Sequence, residues 1–237
     1  PVLDKTYTFQ GKVIIIGAGP SGLAAAKICE QNGVDYQILE ASDRYGGRTM
    51  KSESLADFPI DLGAEWIHHV PRILNRLKGK QGDTLDEVLI PYRMEETYLW
   101  DGQNSIELPS FFTDGAYFMF PESKFKSSTW YDYIDENFAK EVKHNIVYNA
   151  QVTRINYSDS TVAITTNKGE TFYADKILVT VPIGVLQAQD IEFTPELKRY
   201  KVKAIQSVEF YPGFKLMLKF SEKFYPDVIA SPSKTGE

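Results

Sequence analysis

The chain has 237 residues, 43% hydrophobic and 24% charged, which is enough for one large or two modest domains with apolar cores. A formal net charge of −6 and a pI of about 5.2, with no sustained basic stripe, argue against nucleic acid or an anionic membrane as the primary partner. No run approaches the roughly 20 apolar residues of a membrane span, the single cysteine Cys29 excludes a disulfide framework, and His68, His69 and His144 lack the spacing of a metal site, so no metal is expected.

The first informative segment is Val13 to Gly22, an apolar run that breaks into Gly17-Ala18-Gly19-Pro20-Ser21-Gly22 and opens an alanine-rich helix ending near Glu30-Gln31-Asn32-Gly33. A second strand, Asp35 to Leu39, ends in Glu40. This order is that of a dinucleotide cradle. Gly17 permits the tight turn, Gly19 lets backbone approach a pyrophosphate, and Gly22 lets helix pack close to sheet, while Pro20 and Ser21 start a helix whose N-terminus faces the anion. Glu40 falls where a ribose hydroxyl needs an acceptor. Arg44-Tyr45-Gly46-Gly47-Arg48 follows at once and places two guanidinium groups and a diglycine beside the same phosphates. Cys29 reads as a small core residue of the helix.

Between Val70 and Lys126 the pattern is irregular, with Pro71, Pro91, Pro109 and Pro121 interrupting short pieces such as Arg72 to Leu77 and Arg93 to Trp100. Ser127 to Lys143 carries Trp130, Tyr133, Ile134, Phe138 and Val142 at helical steps and predicts an amphipathic helix. Short alternating stretches at 146–148, 152–157, 161–166 and 171–173, joined by Ser158-Asp159 and Lys168-Gly169, predict a β-meander. Ile177 to Pro182 is a near-continuous apolar run, expected to be a strand buried on both faces. Gly213 to Phe220 alternates again, and as a strand it sets Lys215, Met217 and Lys219 on one face, opposite Phe214, Leu216, Leu218 and Phe220.

Taken in order, the glycine motif, Ile38-Leu39-Glu40-Ala41, Arg44-Tyr45-Gly46-Gly47-Arg48 and Asp61-Leu62-Gly63-Ala64-Glu65-Trp66-Ile67-His68 resemble the FAD-dependent amine oxidases, a family of polyamine oxidases, monoamine oxidases, L-amino-acid oxidases and flavin histone demethylases. The resemblance extends downstream through Val152-Thr153-Arg154-Ile155, Val179 to Leu186, and Gly213 to Phe220 followed by Phe224-Tyr225-Pro226. It implies an α/β fold: a Rossmann-like FAD-binding domain of parallel sheet and β-meander with an inserted α+β substrate domain. The expected division is 1–69 and 127–188 for the FAD-binding domain, 70–126 for the substrate-domain insertion, and 189–237 for truncated substrate-domain strands.

The resemblance also implies a site. Ala41, Gly46, Gly47 and both arginines join the glycine motif and Glu40 around FAD. Gly63 and Ala64 lie against the flavin ring, with Glu65 and Trp66 beside them. Glu65 is read as facing solvent in preference to a cationic substrate, and Trp66 as packing. Val152 offers backbone hydrogen bonds to adenine, and Val181 and Pro182 run past the flavin. Lys215 holds a water against flavin N5, an electrostatic role that needs a fixed ammonium. His68 occupies the place of a histidine found in animal-type polyamine oxidases, where it influences the protonation of a bound amine.

The implied reaction is hydride transfer from the carbon beside an amine to FAD N5, hydrolysis of the imine, and reoxidation by O2 to give hydrogen peroxide. A polyamine or other primary or secondary amine ranks above an L-amino acid, because Gly63 to His68 is most like the polyamine oxidases. The alternatives are an L-amino-acid oxidase, a truncated non-catalytic FAD- or ADP-binding module, and an NAD(P)-linked reductase or flavin desaturase, the last disfavoured by the lysine strand. Relatives continue past the lysine strand into a second flavin-binding segment, so a missing carboxy-terminal piece or partner chain carrying it is expected. The amino terminus, lacking Met, fits removal of an export leader and a cloning boundary equally, which leaves the compartment unassigned.

Overall fold

The computed structural model describes residues 9–68, 89–91, 95–119, 121–210 and 213–231. The chain divides into two compact units, Pro1–Met50 with Tyr131–Lys215, and Lys51–Trp130 with Leu216–Glu237. The divisions thus fall at 50/51, 130/131 and 215/216, whereas the sequence pattern puts them at 69/70, 126/127 and 188/189; residues 51–68 belong to the second unit and residues 189–215 to the first. The piece Arg72 to Leu77, together with His69 and Arg93, lies outside the described residues.

In chain order the described elements are β1 (Lys12–Ile16), α1 (Pro20–Gln31) and β2 (Asp35–Leu39), then β3 (Lys51–Ser52), β4 (Ile60–Asp61), β5 (Ile67–His68), β6 (Leu89–Pro91), β7 (Thr97–Trp100), β8 (Ser105–Glu107), α2 (Ser110–Met119) and β9 (Glu122–Phe125). There follow α3 (Trp130–Ile134), a π-helical turn (Asp135–Ala139), α4 (Lys140–Val142), β10 (Ile146–Val147), β11 (Val152–Asn156), β12 (Val162–Thr166), β13 (Thr171–Ala174), β14 (Lys176–Val179), α5 (Ile183–Gln187), β15 (Glu192–Thr194), α6 (Arg199–Ser207) and β16 (Val228–Ala230).

The first unit is three layers deep. Its centre is a parallel sheet in the order β10-β2-β1-β14. β1 lies between two neighbours and has layers on both faces, so Ile14, Ile15 and Ile16 are all buried rather than alternating. Ile14 and Ile16 face the second layer, a sheet in the order β13-β12-β11-β15, and pack with Val152, Ile155, Val162, Ile164 and Ala174. Ile15 and Ile38 face the third layer, where Leu23 and Ala26 of α1 meet Ile134, Ala139 and Val142. Each buried valine, leucine or isoleucine among them contributes about 1.5–3 kcal/mol.

The helix expected at 127–143 begins at Trp130 and is interrupted by the π-turn. Its first N–H, that of Trp130, is capped by the Asp61 carboxylate at 3.0 Å, both residues lying in the second unit. The extra residue in the turn moves the buried face from a strict helical stripe to Ile134, Ala139 and Val142, which brings small Ala139 against α1 and leaves Phe138 at the margin of the core.

Three expected strands differ from their pattern. Residues 146–147, expected to open the meander, form β10 and pair in parallel with β2 at the edge of the central sheet, since Ile146 and Val147 register with Ile38 and Leu39. β14 stops at Val179, and it is an edge strand covered on one face: Ile177 and Val179 pack into the core while Leu178 stays 42% exposed. Residues 213–220 form no strand and pair with none among the described residues, and Phe214 is 92% exposed. Alternation alone cannot hold a strand whose backbone has no neighbouring ladder.

In the second unit, β3 pairs with β4, β9 lies between β5 and β6, and β7 lies between β16 and β8. Asp227 holds the entry to β7 by accepting the backbone N–H groups of Glu95 (3.1 Å) and Glu96 (3.2 Å).

Candidate functional site

At the carboxyl end of β1 the chain must turn sharply into α1, and Gly17 does so at φ +103°, where a side chain would be strained. Its N–H donates to Leu39 O at 2.8 Å, which ties the turn to the end of β2. A Cβ on Gly22 would stand 1.9 Å from Gly17 O, so only glycine lets the first turn of α1 close over the loop. Gly19 differs from both. A Cβ there would meet nothing within 4 Å, so its backbone faces open space at the helix N-terminus. Gly19 is the N-cap, Pro20 follows at the first turn, and no side chain caps the helix. That end carries partial positive charge from unpaired N–H groups and suits a phosphate.

Glu40 follows β2 directly. Its Oε2 accepts the Ala18 N–H at 2.7 Å, and its Oε1 accepts the Ser42 N–H at 2.9 Å and the Ser42 hydroxyl at 2.7 Å. These bonds hold the carboxylate beside the glycine loop and leave it acceptor capacity, since its two oxygens offer about four lone-pair sites. Ser42 is a participant that the motif spacing does not single out. Ala41 is exposed next to it.

The Arg44–Arg48 loop locks onto the same place. Gly46 N–H donates to Ala18 O at 2.9 Å, and Gly47 lies close enough that a Cβ on it would approach Gly19 Cα to 3.2 Å. Tyr45 stacks on Tyr131, with ring centroids 5.6 Å apart, and donates its hydroxyl to Asp135 Oδ1 at 2.7 Å. Burial, then its bonds with Tyr131 and Asp135, push the Tyr45 phenol well above its ordinary pKa. Arg44 is turned inward, giving NH2 to Gly47 O (2.8 Å) and NH1 to Tyr45 O (3.2 Å) and Thr49 O (3.3 Å). Those bonds staple its own loop and occupy much of the fork that the sequence reading aims at phosphate. Arg48 is exposed, with its guanidinium 5.9 Å from the Phe210 ring centroid.

The returning segment meets the loop from the other side. Thr180, just past β14, donates its N–H to Ile16 O at 2.9 Å, and its hydroxyl lies 2.8 Å from Ile16 O and 3.1 Å from Gly17 O. Val181 packs on the core and exposed Pro182 caps α5. Val152 opens β11 and is buried in the same core.

The remaining residues belong to other surroundings. Gly63, Ala64, Glu65, Trp66 and His68 lie in the second unit, and Lys215 ends the first. Glu65 does not face solvent as expected: its Oε1 pairs with Lys124 Nζ, whose ammonium also stands 5.7 Å from the Trp66 ring centroid. Trp66 O accepts the Trp130 indole N–H at 3.3 Å. His68 is 65% exposed, and its Nδ1 lies 2.8 Å from Glu122 Oε1, directly across the β5–β9 pair. Lys215 is exposed within the irregular 213–220 segment.

Comparison with known proteins gives the chain's family. Residues 20–115 and 98–237 match the family described as flavin containing amine oxidoreductase. The chain belongs to that family, and FAD is the cofactor that membership implies. Polyamine oxidase 6 of Oryza sativa subsp. japonica is 26% identical over an alignment of 310 residues that covers 93% of this chain and 62% of the relative. Polyamine oxidase 1 of Zea mays is 26% identical over 312, with the same two coverages. Lysine-specific histone demethylase 2 of Homo sapiens is 27% identical over 304, covering 96% of this chain and 37% of that protein. A solved structure of a putrescine oxidase redesigned in its cofactor binding superposes with a TM-score of 0.60 at 16% identity, over 84% of this chain and 64% of the other, and shows the same mixed α/β fold. The chain therefore spans less than two thirds of the length of the rice and maize polyamine oxidases. Among the described residues no helix is long and apolar enough to cross a membrane.

Proposed function

We propose that this chain serves the flavin-dependent oxidation of an amine, with a polyamine or another primary or secondary amine as hydride donor and O2 as final acceptor. The observation that carries the reading is the glycine turn at the end of β1, open at Gly19 and flanked by Glu40, in a chain that belongs to a flavin-containing family. The rice and maize relatives named polyamine oxidase favour an amine over an L-amino acid and favour a catalytic role over a bare nucleotide-binding one.

The residues present fit the cofactor. The open face of Gly19 and the uncapped α1 N-terminus, with Pro20 and Ser21, take the pyrophosphate; Glu40 takes the ribose; Gly46 and Gly47 wall the loop; and Arg48 supplies positive charge near the phosphates. FAD, when bound, supplies the hydride acceptor N5 and the route by which O2 becomes hydrogen peroxide. Val152 and Val181-Pro182 offer backbone to the adenine and flavin ends. In this reading the first unit is a Rossmann-like FAD-binding domain, and the second, carrying Gly63 to His68, is the inserted substrate domain. His68 holds or releases a proton at the amine nitrogen, since hydride leaves a carbon beside a neutral nitrogen, and its Nδ1 contact with Glu122 orients the ring. Lys215 positions a water by its fixed positive charge.

The test is the visible absorption spectrum of the purified chain, recorded before and after anaerobic addition of spermidine. A flavin spectrum that bleaches with the amine and returns with air, releasing peroxide, is the expected result. A flavin spectrum unchanged by spermidine, spermine and putrescine would remove the amine-oxidase reading and leave a nucleotide-binding one.

A further inference from the structure

The glycine loop is held from a side that the motif does not include. Thr180 lies 163 residues from Gly17 in sequence, yet its hydroxyl reaches Ile16 O at 2.8 Å and Gly17 O at 3.1 Å, so its one proton is shared between the two carbonyls that open the turn. Its backbone N–H takes the other lone pair of Ile16 O at 2.9 Å. The same Oγ1 stands 3.0 Å from where a Cβ would project on Gly17 and 3.0 Å from where one would project on Gly22. The hydroxyl therefore fills the wedge that the two glycines leave open, and it adds a polar partner to Gly17 O beside the ladder-bonded Ile16 O.

We propose that Thr180 is a positioning residue for the flavin cofactor: its hydroxyl fixes the glycine turn after β1 to the chain entering Val181-Pro182. This rests on the flavin reading above. The two segments are otherwise joined there by the β1–β14 ladder, which ends at Ile16 opposite Val179, one residue short of both. The backbone bonds that continue the pairing, Thr180 N–H to Ile16 O and Gly17 N–H to Leu39 O, leave Gly17 O to the side chain at position 180, which ties it to the returning segment. A threonine suits the place because its β-branch leaves few rotamers and its hydroxyl both bonds and fits beside two glycines.

The experiment compares Thr180→Ala, which deletes the hydroxyl, with Thr180→Ser, which keeps it. FAD affinity is read from quenching of flavin fluorescence at a urea-free temperature where both variants are folded, and amide hydrogen exchange at Gly17 and Gly22 is read on the cofactor-free proteins. Thr180→Ala is expected to weaken FAD at least tenfold and to speed exchange at Gly17, and Thr180→Ser to stay within about threefold of the parent. Parent-like FAD affinity in Thr180→Ala, or equal loss in Ala and Ser, overturns the proposal, because a residue that merely fills space would show no rescue by serine. If the parent itself takes up no FAD, the flavin reading falls with it, while unchanged exchange at Gly17 in Thr180→Ala separately overturns the claim that the hydroxyl holds the turn.

Discussion

Alanine at Gly22 and alanine at Gly19 separate the two tasks of the glycine motif. At Gly22 the new Cβ would lie 1.9 Å from Gly17 O and 3.0 Å from Thr180 Oγ1, so either the first turn of α1 must lift or the loop must open. Overpacking of this kind costs about 1–3 kcal/mol, and in a protein of this size each kcal/mol lowers the unfolding midpoint by roughly 2–4 °C. At Gly19 the Cβ meets nothing within 4 Å and φ is −74°, which alanine adopts freely. The reduced freedom of the unfolded chain then favours alanine by about 0.4–1 kcal/mol, offset by the poorer N-cap. Gly22→Ala is therefore expected to unfold several degrees early in a thermal scan of the cofactor-free protein, and Gly19→Ala to unfold with the parent while losing at least tenfold in FAD affinity. A Gly22→Ala protein as stable as the parent would refute the close-packing argument. A Gly19→Ala protein that binds FAD normally would refute the placing of the pyrophosphate over that residue.

Glu40→Ala removes the acceptor of Ala18 N–H and of both Ser42 donors, so FAD affinity and stability are expected to fall together, the latter by about 2–3 kcal/mol, with fluorescence titration and melting as the paired readouts. Tyr36 donates its hydroxyl to Glu30 Oε2 at 2.8 Å, and burial first, then that bond, push its pKa from 10.0 up to about 12. The unfolded chain releases this proton first, so the stabilisation is complete below pH 10 and declines as pH rises through 12; urea midpoints measured across that range should fall less steeply in Tyr36→Phe. Lys215→Met is expected to leave the stability within about 0.5 kcal/mol of the parent, as an exposed residue does, and to slow stopped-flow reoxidation of the reduced flavin at least tenfold; unchanged reoxidation would remove Lys215 from the chemistry.

The sequence is most legible where backbone constraint and burial agree. β1, the helix after it and β2 follow from Ile14-Ile15-Ile16, the glycines and Asp35 to Leu39, because a buried parallel strand, a tight turn and a close helix each demand a narrow residue type. The strands β11 to β13 follow from large apolar residues two apart, such as Val162 and Ile164, where one face is core, whereas Ile146-Val147, expected with them, pairs with β2 in the parallel sheet. Legibility fails where a tertiary partner decides. Helical spacing cannot show the π-turn that puts Ala139 against α1, nor can an apolar run such as Ile177 to Val179 tell a central strand from an edge one. Arginine spacing suggests a phosphate fork at Arg44, but three carbonyls of its own loop compete for the guanidinium. Ser42 carries no motif signal, and Thr180, though inside Val179 to Leu186, none that marks its hydroxyl, because each matters through an oxygen brought near by the fold.

The same bonds bear on how the cofactor site works. Ala18 N–H is held by Glu40 and Ala18 O by Gly46, Gly17 N–H by Leu39 O, and Ile16 O by Thr180, so the peptide groups around the turn are fixed from three different segments of the chain. A loop constrained in this way has little conformational freedom left to lose when a phosphate arrives, and ordering entropy is among the larger costs of association. The nucleotide half of the proposed site is in this sense built before its ligand. His68 and Lys215, by contrast, are exposed side chains, so in the proposed function the positioning of the amine and of the water demands more ordering than the pyrophosphate does. Substitutions around the glycine turn should therefore act on cofactor affinity, and substitutions at His68 and Lys215 on turnover, which is the division that the paired FAD and reoxidation measurements resolve.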